Sequence, residues 1–156
     1  MDEQLKNSLF HMYQNYKREL WEYTGENCEE YLRSWFEDMF IQPSFSVHPV
    51  RNAHTKSVIG FYIIQKLDDE QRYESDCEWY ISEAYIMPSY RKQGFMTGCM
   101  YDFVMHHEGN IGLVVIDNNT KALKFWKSTM KNHGYTCERV PELSSDIESF
   151  YRFSKK

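Results

Sequence analysis

The sequence predicts a mixed α/β fold in which a single sheet carries helices on both of its faces. Two observations support this class: four segments repeat apolar residues at helical spacing, and short runs rich in β-branched and aromatic residues lie between them. The length of 156 residues favours one domain, so we expect a single domain over residues 1–156. The expected order is two helices, three strands, a helix, a strand, a helix and two closing strands.

The first two elements are predicted helices. One apolar face repeats at helical spacing over residues 4–23, and Gly25 ends the pattern. Asn27 precedes Glu30 by three residues, a spacing typical of a helix start, so a second helix is expected there. We expect this second helix to bury five large side chains: Tyr31, Leu32, Trp35, Phe36 and Met39.

Three strands are predicted next, at residues 44–50, 57–67 and 78–87, because these runs are rich in β-prone residues. The first two form a hairpin around a polar turn. The charged stretch 68–76, which separates the second strand from the third, is predicted to be a loop.

The second half of the chain alternates helix and strand. A helix is expected over residues 91–107, and the run 111–117 reads as a strand buried on both faces because apolar residues fill it. A helix over 119–132 follows and ends at Gly134. Two closing strands are expected at 135–140 and 149–154.

Composition excludes several classes of function. With 18 basic and 23 acidic residues the net charge is -5, which disfavours nucleic acid as a partner. The longest apolar runs, "VIGFYII" and "IGLVVI", are too short to span a bilayer, so no membrane partner is expected. The chain start shows no secretion signal, and the four cysteines show no C-x-x-C spacing, which together predict reduced thiols and a cytoplasmic location. His106 and His107 are adjacent and diverge on a helix, so no metal site is expected.

The most informative stretch follows the third strand. Arg91, Lys92 and Gly94 stand at the mouth of the predicted helix, directly after a strand that ends at Pro88. The first backbone N–H groups of a helix have no partner within it and lie at the positive end of its dipole. A glycine there lets an anion approach the backbone closely. These residues alone fit a phosphate site and an ordinary basic helix start equally well.

Two longer blocks resemble one enzyme family. "EAYIMPSYRKQGFM", residues 83–96, resembles the acetyl-CoA-binding segment of the GNAT (Gcn5-related) N-acetyltransferases, with Met96 where Gly or Ala is usual. "NTKALKFWKSTMKNHGY", residues 119–135, is similar to a later segment of that family, with Trp126 in place of the usual tyrosine. The resemblance covers roughly residues 45–140 and implies a mostly antiparallel mixed sheet whose central strands splay apart.

The resemblance also implies acetyl-CoA as the co-substrate. Strands 78–87 and 111–117 would start side by side and then part, leaving backbone groups near 84–86 to pair with pantetheine. The pyrophosphate would meet the amides of residues 92–97, positioned by Arg91. The implied cofactor-binding residues are Tyr85, Ile86, Met87, Arg91, Lys92, Gln93, Gly94, Phe95, Met96, Thr97, Asn119, Ala122, Phe125 and Trp126.

Catalysis by such an enzyme needs a base and a route for the departing thiolate. Glu83 is the candidate base, with Glu78 as a weaker choice, and a surface glutamate is the alternative because strand alternation leaves its facing open. Asn119 is expected near the thioester, although a helix cap would equally explain it. Trp126 cannot act as an acid, so the thiolate leaves unaided or with water, or Ser128 or Tyr135 protonates it, or the site binds acyl-CoA without transfer. Trp126 could also simply pack.

The leading function is therefore transfer of acetyl from acetyl-CoA to a primary amine of a small molecule or a protein. The expected acceptor loops, 21–30 and 141–148, are acidic, which would attract a cationic amine or merely keep the surface soluble. A non-catalytic acyl-CoA sensor is the alternative. A doubly wound nucleotide-binding domain is disfavoured because neither glycine-rich phosphate motif is present. The protein is expected to be a monomer, or a homodimer paired through its closing strands.

Overall fold

The computed structural model describes residues 1–155. The helices in this part of the chain are α1 (Glu3–Thr24), α2 (Leu32–Ile41), α3 (Asp69–Ser75), α4 (Phe95–His106) and α5 (Thr120–Asn132). The strands are β1 (Phe45–Arg51), β2 (Val58–Lys66), β3 (Trp79–Ile86), β4 (Ile111–Ile116), β5 (Tyr135–Arg139) and β6 (Glu148–Lys155). All six of these strands follow the predicted order along the chain.

The strands form one sheet in the order β1-β2-β3-β4-β6-β5. β3 and β4 run parallel, whereas β6 is antiparallel to both β4 and β5. The prediction of a mixed, mostly antiparallel sheet is confirmed.

The chain divides into two compact units. The first joins Met1–Ile63 to Glu83–Met96, and the second joins Ile64–Ser82 to the chain from Thr97 onward. Each unit therefore contains one of the two sequence blocks that resemble the acetyltransferases.

The first unit is held by an aromatic core built on α1. Asp2 caps this helix, its side chain accepting from Leu5 N at 2.7 Å, and Gly25 ends it with a φ of 77°. The apolar stripe of α1 packs against α2, β2 and the end of β3, and the buried members of this core are Leu9, Phe10, Met12, Tyr13, Leu32, Phe36, Met39, Phe61, Ile63 and Tyr85. This packing confirms the predicted first helix and fixes α1 against β3.

The second predicted helix begins later than expected. Asn27 accepts from Glu29 N in a turn, a 3-10 turn follows over Glu29–Tyr31, and α2 starts at Leu32. Tyr31 and Trp35 are 52% and 38% exposed, so their predicted burial is wrong. Tyr31 lies in the 3-10 turn and Trp35 in the first turn of α2, and their rings stack on each other with centroids 5.8 Å apart.

The other prediction that the structure corrects concerns a segment of the second unit. The charged stretch predicted as a loop forms α3, whose start carries a complete capping box between Asp68 and Gln71. The helix has no apolar periodicity, so the cap was its only signal in the sequence. One small apolar cluster of this unit gathers residues from several elements, namely Leu67, Cys77, Val140 and Phe150.

Candidate active site

The last half of β3 leaves its ladder with β4. That ladder joins Trp79 to Ile111, Tyr80 to Gly112 and Ile81 to Leu113, whereas β3 itself continues to Ile86. Residues 83–86 therefore lie outside this ladder, as the predicted parting of the two strands requires.

The other edge of the same segment is held within the first unit. Met87 N donates to Ile59 O at 2.8 Å, and Gly60 lies so close to Tyr85 O that any side chain there would collide with it. Because alternate residues of a strand present their backbone groups to opposite edges, Ala84 and Ile86 present theirs away from β2. The backbone groups suited to a ligand are thus those of Ala84 and the N–H of Ile86. The amide of Met87 is already bonded, and Ile86 O already accepts from Arg91 Nε.

A tight loop follows β3, and α4 begins later than predicted. Pro88–Tyr90 form a 3-10 turn. In the residues that follow this turn, Lys92 and Gly94 both adopt left-handed conformations, with φ angles of 64° and 84°. Neither angle is compatible with a helix, so α4 starts at Phe95 rather than near Arg91. Apart from Gly94 itself and its two chain neighbours, no described residue has a heavy atom within 4 Å of the position a Cβ would take there. The loop therefore offers an open approach to the first amides of α4.

Met96 does not block that approach. Its side chain is buried, whereas Lys92, Gln93 and Gly94 are exposed. Gly98, one turn into the helix, also has open space where a Cβ would stand. Met96, which stands where the family usually has Gly or Ala, is therefore buried in the protein interior. Because its side chain does not cover the loop, the loop fits a diphosphate.

Arg91 is anchored rather than free. Its Nε donates to Ile86 O at 2.7 Å, and its terminal nitrogen contacts both oxygens of Glu19 at 3.0 and 2.8 Å. The guanidinium also lies 5.3 Å from the centre of the Tyr85 ring. This side chain ties the loop to the end of β3 and to α1. Nothing in the sequence pointed to Glu19.

The side chain of Glu83 points toward α1. This decides between the two orientations that strand alternation left open. Its Oε1 lies 3.1 Å from Lys17 Nζ, and the side chains of Glu83 and Lys17 are 12% and 17% exposed. The other oxygen, Oε2, is buried without a hydrogen-bond partner. Burial and the nearby negative charge of Glu83 raise the pKa of the Tyr13 hydroxyl well above its usual range. A surface glutamate is therefore the wrong description of this residue.

Glu78 occupies a different environment. Both of its oxygens contact the guanidinium of Arg72, at 3.2 and 3.1 Å, within the second unit. It belongs to the packing of α3 and not to the end of β3, so Glu83 remains the stronger candidate base.

The second unit holds the other predicted site residues on α5. Asn119 caps the helix, its Oδ1 accepting from Ala122 N at 3.2 Å, as the capping interpretation predicts. Trp126 is 6% exposed and meets the Phe125 ring edge-on at 5.1 Å, while Ala122 and Phe125 are half-buried. Thr97, on α4, is half-buried as well. Trp126 is therefore buried and contacts the neighbouring ring of Phe125.

Other types of site find little support in residues 1–155. No cluster of three or more His, Cys, Asp or Glu side chains there could hold a metal ion, and all four cysteines are free thiols. None of the helices described is long and apolar enough to cross a membrane.

Comparison with known proteins decides the family. The model of the acetyltransferase (GNAT) family matches residues 7–130. The chain belongs to this family. GNAT membership makes the protein an acetyltransferase with acetyl-CoA as its co-substrate, and it extends the similarity through α1 and α2, beyond the segment that the sequence blocks covered. No curated protein matches the chain significantly.

Solved GNAT structures share the fold at low sequence identity. A GNAT acetyltransferase from Staphylococcus aureus Mu50 is 15% identical with a TM-score of 0.67, over 100% of this chain and 96% of that chain. A Vibrio cholerae spermidine N-acetyltransferase, solved with CoA and spermine, is 14% identical with a TM-score of 0.62, over 98% and 90%. Arabidopsis thaliana NAA60, solved with acetyl-CoA, is 19% identical with a TM-score of 0.52, over 77% and 80%. These likenesses establish the fold.

Proposed function

We propose that this GNAT protein transfers acetyl from acetyl-CoA directly to a primary amine of a small molecule or a protein, with Glu83 as the general base. The observation that carries the proposal is the buried Glu83 carboxylate, whose Oε2 has no partner, at the start of the β3 segment that lies outside the ladder with β4. A carboxylate held at the edge of a thioester site is the group that amine acetylation needs.

In this proposal acetyl-CoA lies along the end of β3. The pantetheine amides pair with the backbone of Ala84 and Ile86, in the manner of an added strand. The diphosphate rests on the amides of residues 92–97, where the open space beside Gly94 and the start of α4 support an anion. Arg91 holds the loop in place and shares its charge between Glu19 and the phosphates. Asn119, Ala122, Phe125 and Trp126 remain proposed cofactor-binding residues, as the family resemblance implies.

The chemistry begins with deprotonation of the acceptor. An alkylammonium has a pKa of about 10, so the amine must lose a proton before it can attack the thioester. Glu83 takes that proton, directly or through one water, and the backbone N–H of a β3 residue polarises the acetyl carbonyl. The C–N bond forms, the C–S bond breaks, and the second proton of the amine passes through water to the coenzyme A thiolate, because the indole of Trp126 cannot supply one.

A cationic amine is the proposed acceptor. The negative net charge and the exposed carboxylates of loop 141–148, Glu142, Asp146 and Glu148, support attraction of a cation. Glu29, in the other acidic loop, is partly neutralised because Arg18 contacts it at 2.5 and 3.1 Å. The Vibrio cholerae relative was solved with spermine, which makes polyamines the first compounds to test.

The four free thiols support the expected cytoplasmic location.

Release of the coenzyme A thiol tests the proposal. Purified protein is incubated with acetyl-CoA and, separately, with spermidine, an aminosugar, a lysine-containing peptide and an acidic amino acid. We expect amine-dependent thiol release with at least one cationic acceptor. Release with the acidic amino acid alone would reject the cationic acceptor, and no release with any amine would reject the transferase.

Trp126 favours a second candidate, an acyl-CoA sensor without transfer, because a buried indole replaces the family's tyrosine. Trp126→Tyr separates the two. A sensor that lacks only the acid should gain a large thiol-release rate in this variant, whereas a working transferase should change little.

A further inference from the structure

The proposed base already contacts an amine of its own chain. Lys17, on α1, places its Nζ 3.1 Å from Glu83 Oε1, and both side chains are largely buried. The two residues are 66 positions apart in the sequence, so the contact is a product of the packing of α1 on β3.

Aromatic rings surround the same ammonium group. Lys17 Nζ lies 5.5 Å from the centre of the Tyr13 ring, 5.6 Å from that of Tyr16 and 5.9 Å from that of Trp35. These distances are typical of cation–π contacts. The combination of three rings and one carboxylate is typical of a site for an alkylammonium, and here a lysine of the chain fills it.

We propose that Lys17 is an internal acceptor, which the protein acetylates with its own bound acetyl-CoA. This inference rests on the proposed function, because it uses Glu83 as the base and the end of β3 as the thioester site. Glu83 removes a proton from the Lys17 ammonium, and the neutral Nζ attacks the acetyl carbon. The C–N bond forms, the C–S bond breaks, one proton remains on Glu83 or passes to water, and the thiolate takes the other.

The surroundings of Lys17 tolerate the product. N-acetyl-lysine is a neutral amide, and its methyl group can pack against the rings of Tyr13, Tyr16 and Trp35. Acetylation removes the positive charge beside Glu83 and places an acetyl group where an external amine would be deprotonated. Self-acetylation therefore lowers turnover of external amines, and an external amine slows the modification of Lys17 by competing for the same place.

Peptide mapping by mass spectrometry tests this directly. The intact protein is incubated with acetyl-CoA and no added amine, and acetylation is followed over time at Lys17 and at two exposed lysines of α5, Lys124 and Lys127. Because general base catalysis is worth roughly a hundredfold, we expect Lys17 to be modified at least about tenfold faster than either control lysine. Saturating spermidine should slow modification of Lys17 and leave Lys124 unaffected.

Acetyl phosphate provides a control in the unmodified chain. This donor lacks coenzyme A, so it should acetylate Lys124 and Lys127 and give Lys17 no advantage. Glu83→Gln should remove the advantage with acetyl-CoA as well, and Lys17→Arg, which keeps the positive charge, should abolish the Lys17 product. If either variant fails to fold, the comparison of acetyl-CoA with acetyl phosphate on the protein without substitutions still decides the question.

The outcomes also separate this inference from the proposed function. Thiol release with an external amine while Lys17 remains unmodified would overturn the inference alone. Equal rates at Lys17 and Lys124, or the same Lys17 preference with acetyl phosphate, would overturn it too. If neither Lys17 nor any external amine accepts acetyl, both the inference and the proposed function are wrong.

Discussion

The two blocks that resemble the family differ sharply in how they are stabilised. Along the end of β3 and the loop to α4, the charges meet partners from α1: Glu83 contacts Lys17, and Arg91 contacts Glu19. At the start of α5 there is no comparable ion pair among the described residues, and the contacts are an amide cap by Asn119 and the buried ring of Trp126. The first block therefore holds charged side chains in fixed positions by ion pairs. The second block consists of a capped helix start and a buried aromatic ring.

This difference indicates which substitutions should affect the reaction and which should affect folding. Partly buried charges are expensive to hold and are found where proton transfer or anion binding needs them. A capped helix with a buried aromatic ring is an ordinary stabilising feature. Substitutions in the β3 block should therefore affect turnover and cofactor binding, and those at the start of α5 should affect folding first.

Replacement of Trp126 should have the largest effect, and it should fall on stability. Trp126→Ala removes a nearly fully buried indole, so the free energy of unfolding should drop by about 3–5 kcal/mol. Urea unfolding followed by circular dichroism measures this. Phe125→Ala is the matched control, since Phe125 is only half-buried and should lose less. A loss below about 1 kcal/mol for Trp126→Ala would show that the indole is not a packing residue.

Glu83→Gln should lower turnover at least about tenfold, because the amide cannot accept the proton of the amine. Steady-state rates with the best acceptor, measured across pH, give the result. Glu78→Gln is the control, since that carboxylate binds Arg72 instead. The double variant Glu83→Gln/Lys17→Met tests whether an unpaired Lys17 ammonium causes the loss. Unchanged turnover of Glu83→Gln at every pH would reject Glu83 as the base.

Two glycines allow a direct comparison, one in the loop proposed to bind the diphosphate and one in the helix that follows it. Gly94 has a φ of 84°, so Gly94→Ala should destabilise the protein by about 1 kcal/mol and weaken protection by coenzyme A. Gly98 lies inside α4 and has open space at its Cβ position, so Gly98→Ala should stabilise by about 0.5–1 kcal/mol. Thermal melts with and without coenzyme A measure both effects. Equal behaviour of the two variants would show that the turn at Gly94 is dispensable.

Asn119→Ala should have the smallest effect, a loss of about 1 kcal/mol in unfolding free energy, because it removes the cap of α5. Asn119→Asp keeps an acceptor for Ala122 N and should restore most of that stability. If Asn119→Asp is stable yet turns over slowly, Asn119 also contacts the pantetheine through its amide nitrogen. Full activity in both variants would restrict Asn119 to capping.

The sequence predicted those features that rest on local patterns. The apolar stripe ending at Gly25 located α1, and Asn119 with Gly134 located α5. The pattern failed where the signal was a cap instead of a stripe, as at Asp68 in α3, and where left-handed residues delayed a helix, as at Lys92 before α4.

The charged partners at the site could not be predicted. Lys17 and Glu83 are 66 positions apart, and Glu19 and Arg91 are 72 positions apart, so each pair exists only once α1 packs against β3. Each of these side chains taken alone looks like a solvated surface charge. The family resemblance made Glu83 and Arg91 candidate site residues, and only the fold supplied the residues that contact them.

A crystal structure of the protein with coenzyme A tests the central claim most directly. We expect pantetheine amides hydrogen-bonded to the backbone of Ala84 and Ile86, the diphosphate on the amides that follow Arg91, and the thiol beside the Glu83 carboxylate. Coenzyme A bound elsewhere, or a β3 whose last residues are paired with β4 so that no ligand can reach them, would contradict the account.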